Sequence, residues 1–140
     1  MATILTLEVT TPRGLALRTE ADYVQAPSVQ GELGVLPNHL PVLAAIQCGL
    51  IKYKSGGKVQ VAAVGPGFLE AEPDRVVVLS DLFATPEKID VDATKQELAT
   101  ANEALKKFGE RHEGAEYDEL KRNIDWAQAK LDAVAEAAKL

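Results

Sequence analysis

The 140-residue sequence changes character near Pro86, and this break constrains the fold more than any other feature. Before the break, short apolar and β-branched runs are separated by glycine, proline and polar turn residues. After it, glycine and proline become rare, alanine and charged residues dominate, and apolar residues recur every three or four positions. A period near two indicates strands, and a period near 3.6 indicates helices. The sequence therefore predicts two domains, residues 1–86 and residues 87–140.

The first domain is predicted to be a β-sandwich or flattened barrel. In its first run, Leu5, Leu7 and Val9 alternate with polar residues, which places one face in a core and the other in water. Glycine and proline predict turns at residues 55–57 and 65–67. Many short strands at such spacing are typical of a sandwich. The predicted strands are residues 4–10, 15–18, 23–26, 42–47, 50–54, 59–64, 68–71 and 75–79.

The second domain is predicted to be an antiparallel α-helical hairpin. Asp90 is the expected N-cap of the first helix, and the breaker-containing segment 109–114 is short enough to favour an antiparallel arrangement. Each helix carries one apolar stripe. The stripes consist of Leu98, Ala101, Leu105 and Phe108 on the first helix and of Tyr117, Leu120, Ile124, Ala127, Leu131, Val134 and Ala138 on the second.

The seam between the two helices is modest. About eight sizeable seam residues, each contributing ~1.5–3 kcal/mol if fully buried and about half of that at an open seam, leave a small surplus after ordering costs. The many alanines keep helix propensity high even without a neighbour. Two interpretations stay open: a mobile element whose helices dock elsewhere, and a static hairpin packed on the sheet.

Charge and composition disfavour several kinds of partner. A formal net charge of −6 disfavours nucleic acid and anionic lipid surfaces, which require a concentrated basic face. No apolar run approaches the ~18–20 residues of a membrane span, and no signal-like start is visible. Cys48 is the single cysteine, so no internal disulfide is possible, and we interpret it as a small buried hydrophobe. We expect no nucleic-acid partner, no direct membrane insertion, and membrane association only through a protein.

The residues predict no catalytic site, metal site or cofactor. His39 and His112 lack a cluster at ligand spacing, and His112 is expected in an exposed turn. No serine or cysteine stands in a nucleophile elbow. Residues 56–58, Gly-Gly-Lys, suggest the end of a phosphate loop, but Val59 follows where Ser or Thr is required. Any chemistry is therefore expected in a partner.

Residues 31–42, Gly-Glu-Leu-Gly-Val-Leu-Pro-Asn-His-Leu-Pro-Val, mix turn formers, apolar residues, one carboxylate and one imidazole without helix or strand periodicity. Gly31 and Gly34 allow positive φ or close backbone approach, while Pro37 and Pro41 fix φ. The segment is predicted to be a stiff loop that holds its side chains in set directions.

This segment resembles the signature of the epsilon subunit of rotary ATP synthases, and the match is nearly complete. Residues 65–70, Gly-Pro-Gly-Phe-Leu-Glu, are similar to the Gly-Gly-Phe-Leu-Glu segment of that family. The order of β-rich half and helical pair also agrees over the full length. The resemblance implies a sandwich of about ten strands followed by a helical hairpin. It further implies a non-catalytic rotor subunit that couples an ion-driven membrane ring to a catalytic head.

The same resemblance implies partner surfaces. Glu32 corresponds to a carboxylate that faces the loops of the c-subunit membrane ring. The residues expected to shape that contact are Gly31, Leu33 and Gly34. His39 and Pro41 fall on the part of the segment directed towards the gamma subunit. For His39, a partner contact and a purely structural loop histidine both stay open.

The hairpin of that family is regulatory: it permits turnover when folded against the sandwich and obstructs ATP hydrolysis when extended into the alpha/beta catalytic head. By this resemblance, Lys121, Arg122 and Lys130 are candidates to meet acidic residues of the head, with a solvated helix face as the alternative. Trp126 lies beside the seam. It is either an anchor for a second docked state or a side chain packed on the edge of the first helix.

Some family members bind ATP through Ile-Asp-x-x-Arg-Ala at the start of the first helix. The corresponding residues 89–94 read Ile-Asp-Val-Asp-Ala-Thr, so Ala93 replaces the arginine and Asp92 adds a negative charge. We predict weak or no ATP binding, which counts against the alternative function, a free-standing ATP-sensing binding module. The expected location is the cytoplasmic face of the bacterial inner membrane, as a peripheral protein.

Overall fold

A computed structural model describes residues 3–109 and 113–140, with ten strands followed by a short 3-10 turn and two α-helices. Residues 110–112 lie outside the described residues. They include His112, for which an exposed turn is expected, and the middle of the predicted helix connection. The predicted fold class, a β-sandwich with a C-terminal helical hairpin, is confirmed.

The strands form one curved sheet in which neighbours follow the order β10-β7-β6-β3-β5-β8-β9-β1-β2, with β4 paired to β3. The pairs of described strands are antiparallel except β1 with β9. The hydroxyls of Thr19 on β2 and Ser55 on β6 lie 3.0 Å apart, so the sheet nearly closes on itself. The strands are β1 Leu5–Thr11, β2 Gly14–Ala21, β3 Val24–Ser28, β4 Gly31–Val35, β5 Val42–Ile46, β6 Gly49–Ser55, β7 Lys58–Val64, β8 Gly67–Glu72, β9 Arg75–Ser80 and β10 Phe83–Ala84.

The core fills the space inside this sheet. Leu5, Leu7 and Val9 are fully buried, which confirms the alternation predicted for the first run. Val9 lies opposite Val78 in the parallel pair of β1 and β9. Other core side chains are Val24, Val35, Ile46, Ile51, Tyr53, Leu69 and Val76.

The predicted corner at residues 65–67 brings two backbone segments together. The buried hydroxyl of Ser80 accepts a hydrogen bond from the Gly65 N–H at 3.0 Å and donates to the Leu82 carbonyl at 2.8 Å. At Gly67, a Cβ atom would lie 1.8 Å from the carbonyl oxygen of Leu79. Glycine is therefore required at position 67 for steric reasons.

The prediction of a loop throughout residues 31–42 is wrong for its first part. Gly31–Val35 form β4, antiparallel to β3. Val35 is buried and Leu33 half-buried, whereas Glu32 and Gly34 are exposed, so inward and outward residues alternate as in other strands. The pattern is not visible in the sequence because glycine, at positions 31 and 34, has no side chain that signals a buried or exposed face. Residues 36–41 contain no strand, and Asn38 has a φ of 66° in a turn there.

The helices are α1, Val91–Lys106, and α2, Ala115–Ala137. Asp90 caps α1 as predicted, because its Oδ1 accepts a hydrogen bond from the Ala93 N–H at 3.0 Å. At one end of the hairpin the rings of Phe108 and Tyr117 meet edge to face, 6.0 Å between centroids. Towards the opposite end of the hairpin, Lys130 in the second half of α2 pairs with Glu97 in the first half of α1. The helices are thus antiparallel.

Candidate interaction surfaces

The first surface is the turn between β3 and β4, which presents Glu32. The hydroxyl of Ser28 donates to the Gly31 carbonyl and accepts from the Gln30 N–H, and Gly31 has a φ of 121°. Glu32 is exposed opposite Pro27, and no ion pair joins it to another residue of the described chain. The short hairpin therefore holds a charged carboxylate outwards on a well-anchored turn.

The segment after β4 carries His39 and Pro41. The Asn38 N–H donates to the Pro73 carbonyl at 2.6 Å, and the His39 N–H donates to the Leu36 carbonyl at 3.2 Å. The Nδ1 atom of His39 lies 2.7 Å from the carbonyl oxygen of Leu40. His39 is half-exposed and Pro41 exposed, so both predicted contact residues are accessible on a tied-down loop.

A second surface, which the sequence reasoning missed, is an apolar row on the outside of the sheet. Thr10 separates Leu15 from Leu79, and Phe68 lies between Leu79 and Ala45, so the row crosses β2, β1, β9, β8 and β5. Leu43 continues it along β5. We use the name apolar row for Leu15, Leu43, Phe68 and Leu79. Their exposed fractions are 57%, 74%, 56% and 52%.

Thr10 and the exposed Glu70, which lies opposite Leu43, are the polar residues within this row. A row of four large exposed apolar side chains on one sheet face typically marks an interaction site. A signal for it exists in the sequence: β9 reads Arg-Val-Val-Val-Leu-Ser, apolar on both faces, which predicts a strand covered on both sides. Within the described chain the inner face of β9 is covered by the core, whereas Leu79 on the outer face of β9 is exposed.

The third surface is the contact between α2 and the sheet. Ala129 and Ala133 of α2 pack on Ala63 of β7, and around them lie Cys48, Leu50, Ile89 and Trp126. The Nζ atom of Lys52 on β6 lies 3.2 Å from Oε1 of Glu136 at the edge of this helix–sheet contact. The structure therefore has the hairpin packed on the sheet, the geometry of the static interpretation.

The predicted hairpin residues have different surroundings. Trp126 is half-buried in the helix–sheet contact, which neither interpretation of this side chain anticipated. The side chain of Lys130 is only 16% exposed, so for this residue the solvated-face alternative is wrong. Lys121 is half-exposed and Arg122 exposed.

Burial shapes the chemistry of Cys48. Desolvation, with a smaller contribution from the carboxylate of Asp125, raises the pKa of its thiol to about 11. The thiol therefore stays protonated at neutral pH, where a thiolate would be required for reaction. This agrees with the interpretation of Cys48 as a small apolar residue.

Within residues 3–109 and 113–140, no group of three or more His, Cys, Asp or Glu side chains is placed to hold a metal ion. No helix in that part of the chain is long and apolar enough to cross a bilayer. The fold itself defines a class of protein, a β-sandwich with a helical hairpin docked on its sheet.

The family described as ATP synthase, Delta/Epsilon chain, beta-sandwich domain matches residues 4–86. The chain is 36% identical over 133 residues to the ATP synthase epsilon chain of Desulfitobacterium hafniense (strain Y51), covering 95% of this chain and 98% of the relative. It is 39% identical over 110 residues to the one of Anaeromyxobacter dehalogenans (strain 2CP-C), covering 79% and 83%. The chain belongs to the ATP synthase epsilon chain family and is a non-catalytic subunit of an ATP synthase.

Solved structures share the fold. A chain of the Euglena gracilis mitochondrial ATP synthase superposes with a TM-score of 0.78 at 17% identity, covering 100% of this chain and 84% of that one. A chain in the central stalk and c-ring of the Tetrahymena thermophila mitochondrial ATP synthase gives 0.61 at 11% identity, covering 93% and 96%.

Proposed function

We propose that this protein is a central-stalk subunit that couples rotation of the ion-driven membrane ring to ATP synthesis in the catalytic head. The observation that carries the proposal is the apolar row, more than half exposed at each of its four large side chains. A subunit that only transmits torque needs a broad partner contact and no reactive group. Desolvation of such a row on binding supplies the main stabilisation of an interface.

The apolar row is the proposed contact with the gamma subunit, together with His39 and Pro41. Full burial of an exposed leucine or phenylalanine contributes roughly 1.5–3 kcal/mol, and these side chains are 52% to 74% exposed, so each contributes about half to three quarters of that amount on binding. Four such side chains anchor an interface when the surrounding contact covers the remaining association cost. The Nδ1 atom of His39 lies at the Leu40 carbonyl oxygen, so its Nε2 atom is the one proposed to hydrogen-bond the partner.

Glu32 is the proposed contact with the loops of the c-subunit membrane ring. Its turn is anchored by Ser28, and Gly31, Leu33 and Gly34 set its backbone. A fixed carboxylate costs less entropy to engage than a carboxylate on a flexible loop. The contact would be weakened by salt because the Glu32 carboxylate is exposed to solvent.

The helical hairpin is the proposed regulator of ATP hydrolysis. In its docked position the positive charge of Lys130 is paired inside the hairpin, while Lys121 and Arg122 remain accessible. The fully buried part of the helix–sheet contact is three alanines, and the larger side chains around them are only partly buried, so the contact contributes less than the sandwich core. An extended hairpin that meets the alpha/beta catalytic head would then inhibit hydrolysis.

The location that follows is peripheral, on the cytoplasmic face of a bacterial inner membrane, held there through the ring and the gamma subunit. The alternative, a free-standing ATP sensor, lacks support at the start of α1, where Asp92 and Ala93 are both exposed. Weak or absent ATP binding stays a prediction.

The test is ATP hydrolysis by a purified catalytic head with the gamma subunit, reconstituted with the full chain or with a version that ends at Thr85. We expect both to bind and only the full chain to inhibit. Circular dichroism checks that the shorter version keeps its strand signal. Failure of the full chain to bind would overturn the rotor role, and equal hydrolysis with both would overturn regulation by the hairpin.

A further inference from the structure

A shallow groove runs along one side of the helical hairpin and has no part in the surfaces described above. It consists of two adjoining cavities of about 650 and 680 Å³, which share Ala104, Leu120 and Asn123. Its lining residues belong to α1, to α2 or to the two residues that follow α1.

The floor on the α1 side is formed by short side chains. Ala93 and Thr100 are exposed and Ala104 is half-buried, all on the same side of α1. Short side chains let the ridge of another helix approach closely. From Ala93 to Phe108 the groove follows about 22 Å of helix at a rise of about 1.5 Å per residue, the length of a four-turn helix.

The walls of the groove are acidic. Glu97, Glu116 and Glu119 contribute three carboxylates, against the single ammonium of Lys107. Of these, Glu97 forms an ion pair with Lys130, whereas Glu116 and Glu119 are exposed. The floor combines short and apolar side chains with the exposed polar residues Thr100 and Asn123. An acidic rim around such a floor complements a helix that has a stripe of small side chains flanked by Lys and Arg.

We propose that this groove binds a basic amphipathic helix of a partner protein, which packs on the hairpin as a third helix. The groove is separate from the helix–sheet contact, because none of its lining residues belongs to that cluster. Binding is thus compatible with a docked hairpin, and the proposal does not depend on the role in the ATP synthase.

The experiment uses the full chain and two synthetic helical peptides of about 16 residues, matched to the length of the groove. Both peptides carry the same Ala/Leu stripe, flanked by Lys in one and by Glu in the other. Fluorescence anisotropy of the labelled peptides is measured at low and at physiological salt. We expect the Lys peptide to bind at least about tenfold more tightly than the Glu peptide, and more weakly as salt rises.

Paired variants separate the groove from general charge effects. Thr100→Arg and Glu119→Lys are expected to weaken binding of the Lys peptide by about tenfold or more. Ala99→Arg and Asp118→Lys change the same charges at exposed neighbouring positions outside the groove lining and are expected to change affinity by less than about twofold. Circular dichroism verifies that all four variants keep their helix content.

Three results would overturn the proposal: no binding of the Lys peptide at concentrations up to about 1 mM, equal binding of the two peptides, or equal losses in the groove and control variants. The last result would show adsorption to an acidic surface and not docking in the groove.

Discussion

The Nζ atom of Lys130 on α2 lies 3.1 Å from Oε2 of Glu97 on α1. The same ammonium lies 5.7 Å from the centroid of the Trp126 ring, which packs in the helix–sheet contact. Lys130 of α2 therefore contacts both Glu97 of α1 and Trp126, the aromatic residue of α2 that packs on the sheet. In the docked hairpin its charge is neutralised, so it can reach an acidic surface on another subunit only after this pair has broken.

Replacing Lys130 with methionine is expected to lower the free energy of unfolding by about 1 kcal/mol, because Glu97 is 57% exposed and the pair is partly screened by solvent. Urea unfolding followed by Trp126 fluorescence measures the change. Lys106→Met removes the exposed pair with Glu103 and is expected to cost less than about 0.5 kcal/mol. Equal losses in both variants would contradict a special role for Lys130.

Loss of the ion pair between Lys52 and Glu136 is expected to loosen the helix–sheet contact. Both side chains are 29% exposed, and Cys48 packs under the same helix, against the cluster of Ala63, Ala129 and Ala133. We expect Glu136→Gln to raise the rate of Cys48 alkylation several-fold at constant pH, since the thiol reacts when α2 lifts. Glu103→Gln on α1 is the control, and an unchanged rate in Glu136→Gln would show that apolar packing without the ion pair holds α2.

The Cys48 thiol makes stability depend on pH above the neutral range. Its pKa is raised from 9.0 in the unfolded chain to about 11 in the folded chain, chiefly by burial. The unfolded thiol therefore loses its proton first, so the stabilisation from this group is complete below pH 9 and lost as pH rises towards 11. We expect the urea midpoint of the native chain to fall relative to that of Cys48→Ala as the pH rises from 9 towards 11. A constant difference would contradict burial of the thiol.

Strands such as β1 could be predicted because large apolar side chains alternate with polar ones, as at Leu5, Leu7 and Val9. β4 was missed because Gly31 and Gly34 occupy exposed strand positions, and glycine carries no polarity signal while favouring a turn interpretation. β10 is only two residues long and is defined by pairing with β7, which no local pattern reports.

The surfaces were predictable only in part. Glu32 is exposed, but its contact with the membrane ring is implied only by the family resemblance and stays a prediction. The apolar row depends on cross-strand register that a single sequence does not contain. The sheet-facing side of α2 was missed for a different reason. Ala129 and Ala133 are weakly hydrophobic, and the larger stripe of Ile124 and Leu131 dominates the helical pattern.

Substitution of Gly67 by alanine is expected to destabilise the sandwich severely, by about 4 kcal/mol or more, because the new Cβ would lie 1.8 Å from the Leu79 carbonyl oxygen. Gly34→Ala is the matched control in another strand, since nothing lies within 4 Å of its Cβ position. Thermal unfolding by circular dichroism compares the two variants. A folded Gly67→Ala protein with native stability would show that the corner at residues 65–67 can rearrange.

Phe68 offers the sharpest separation of partner binding from stability. Because its side chain is 56% exposed on the outer face of β8, Phe68→Glu is expected to change the free energy of unfolding by only about 0.5 kcal/mol. The same change places a charge in the middle of the apolar row, so it should weaken binding to the gamma subunit by about a hundredfold or more. Glu70→Gln, on the same face of β8 and opposite Leu43, is the control that changes a neighbouring charge without adding one to the row. Native affinity in Phe68→Glu, measured by isothermal titration with the purified gamma subunit, would exclude the apolar row from that interface and leave the loop with His39 and Pro41 as the remaining proposed contact.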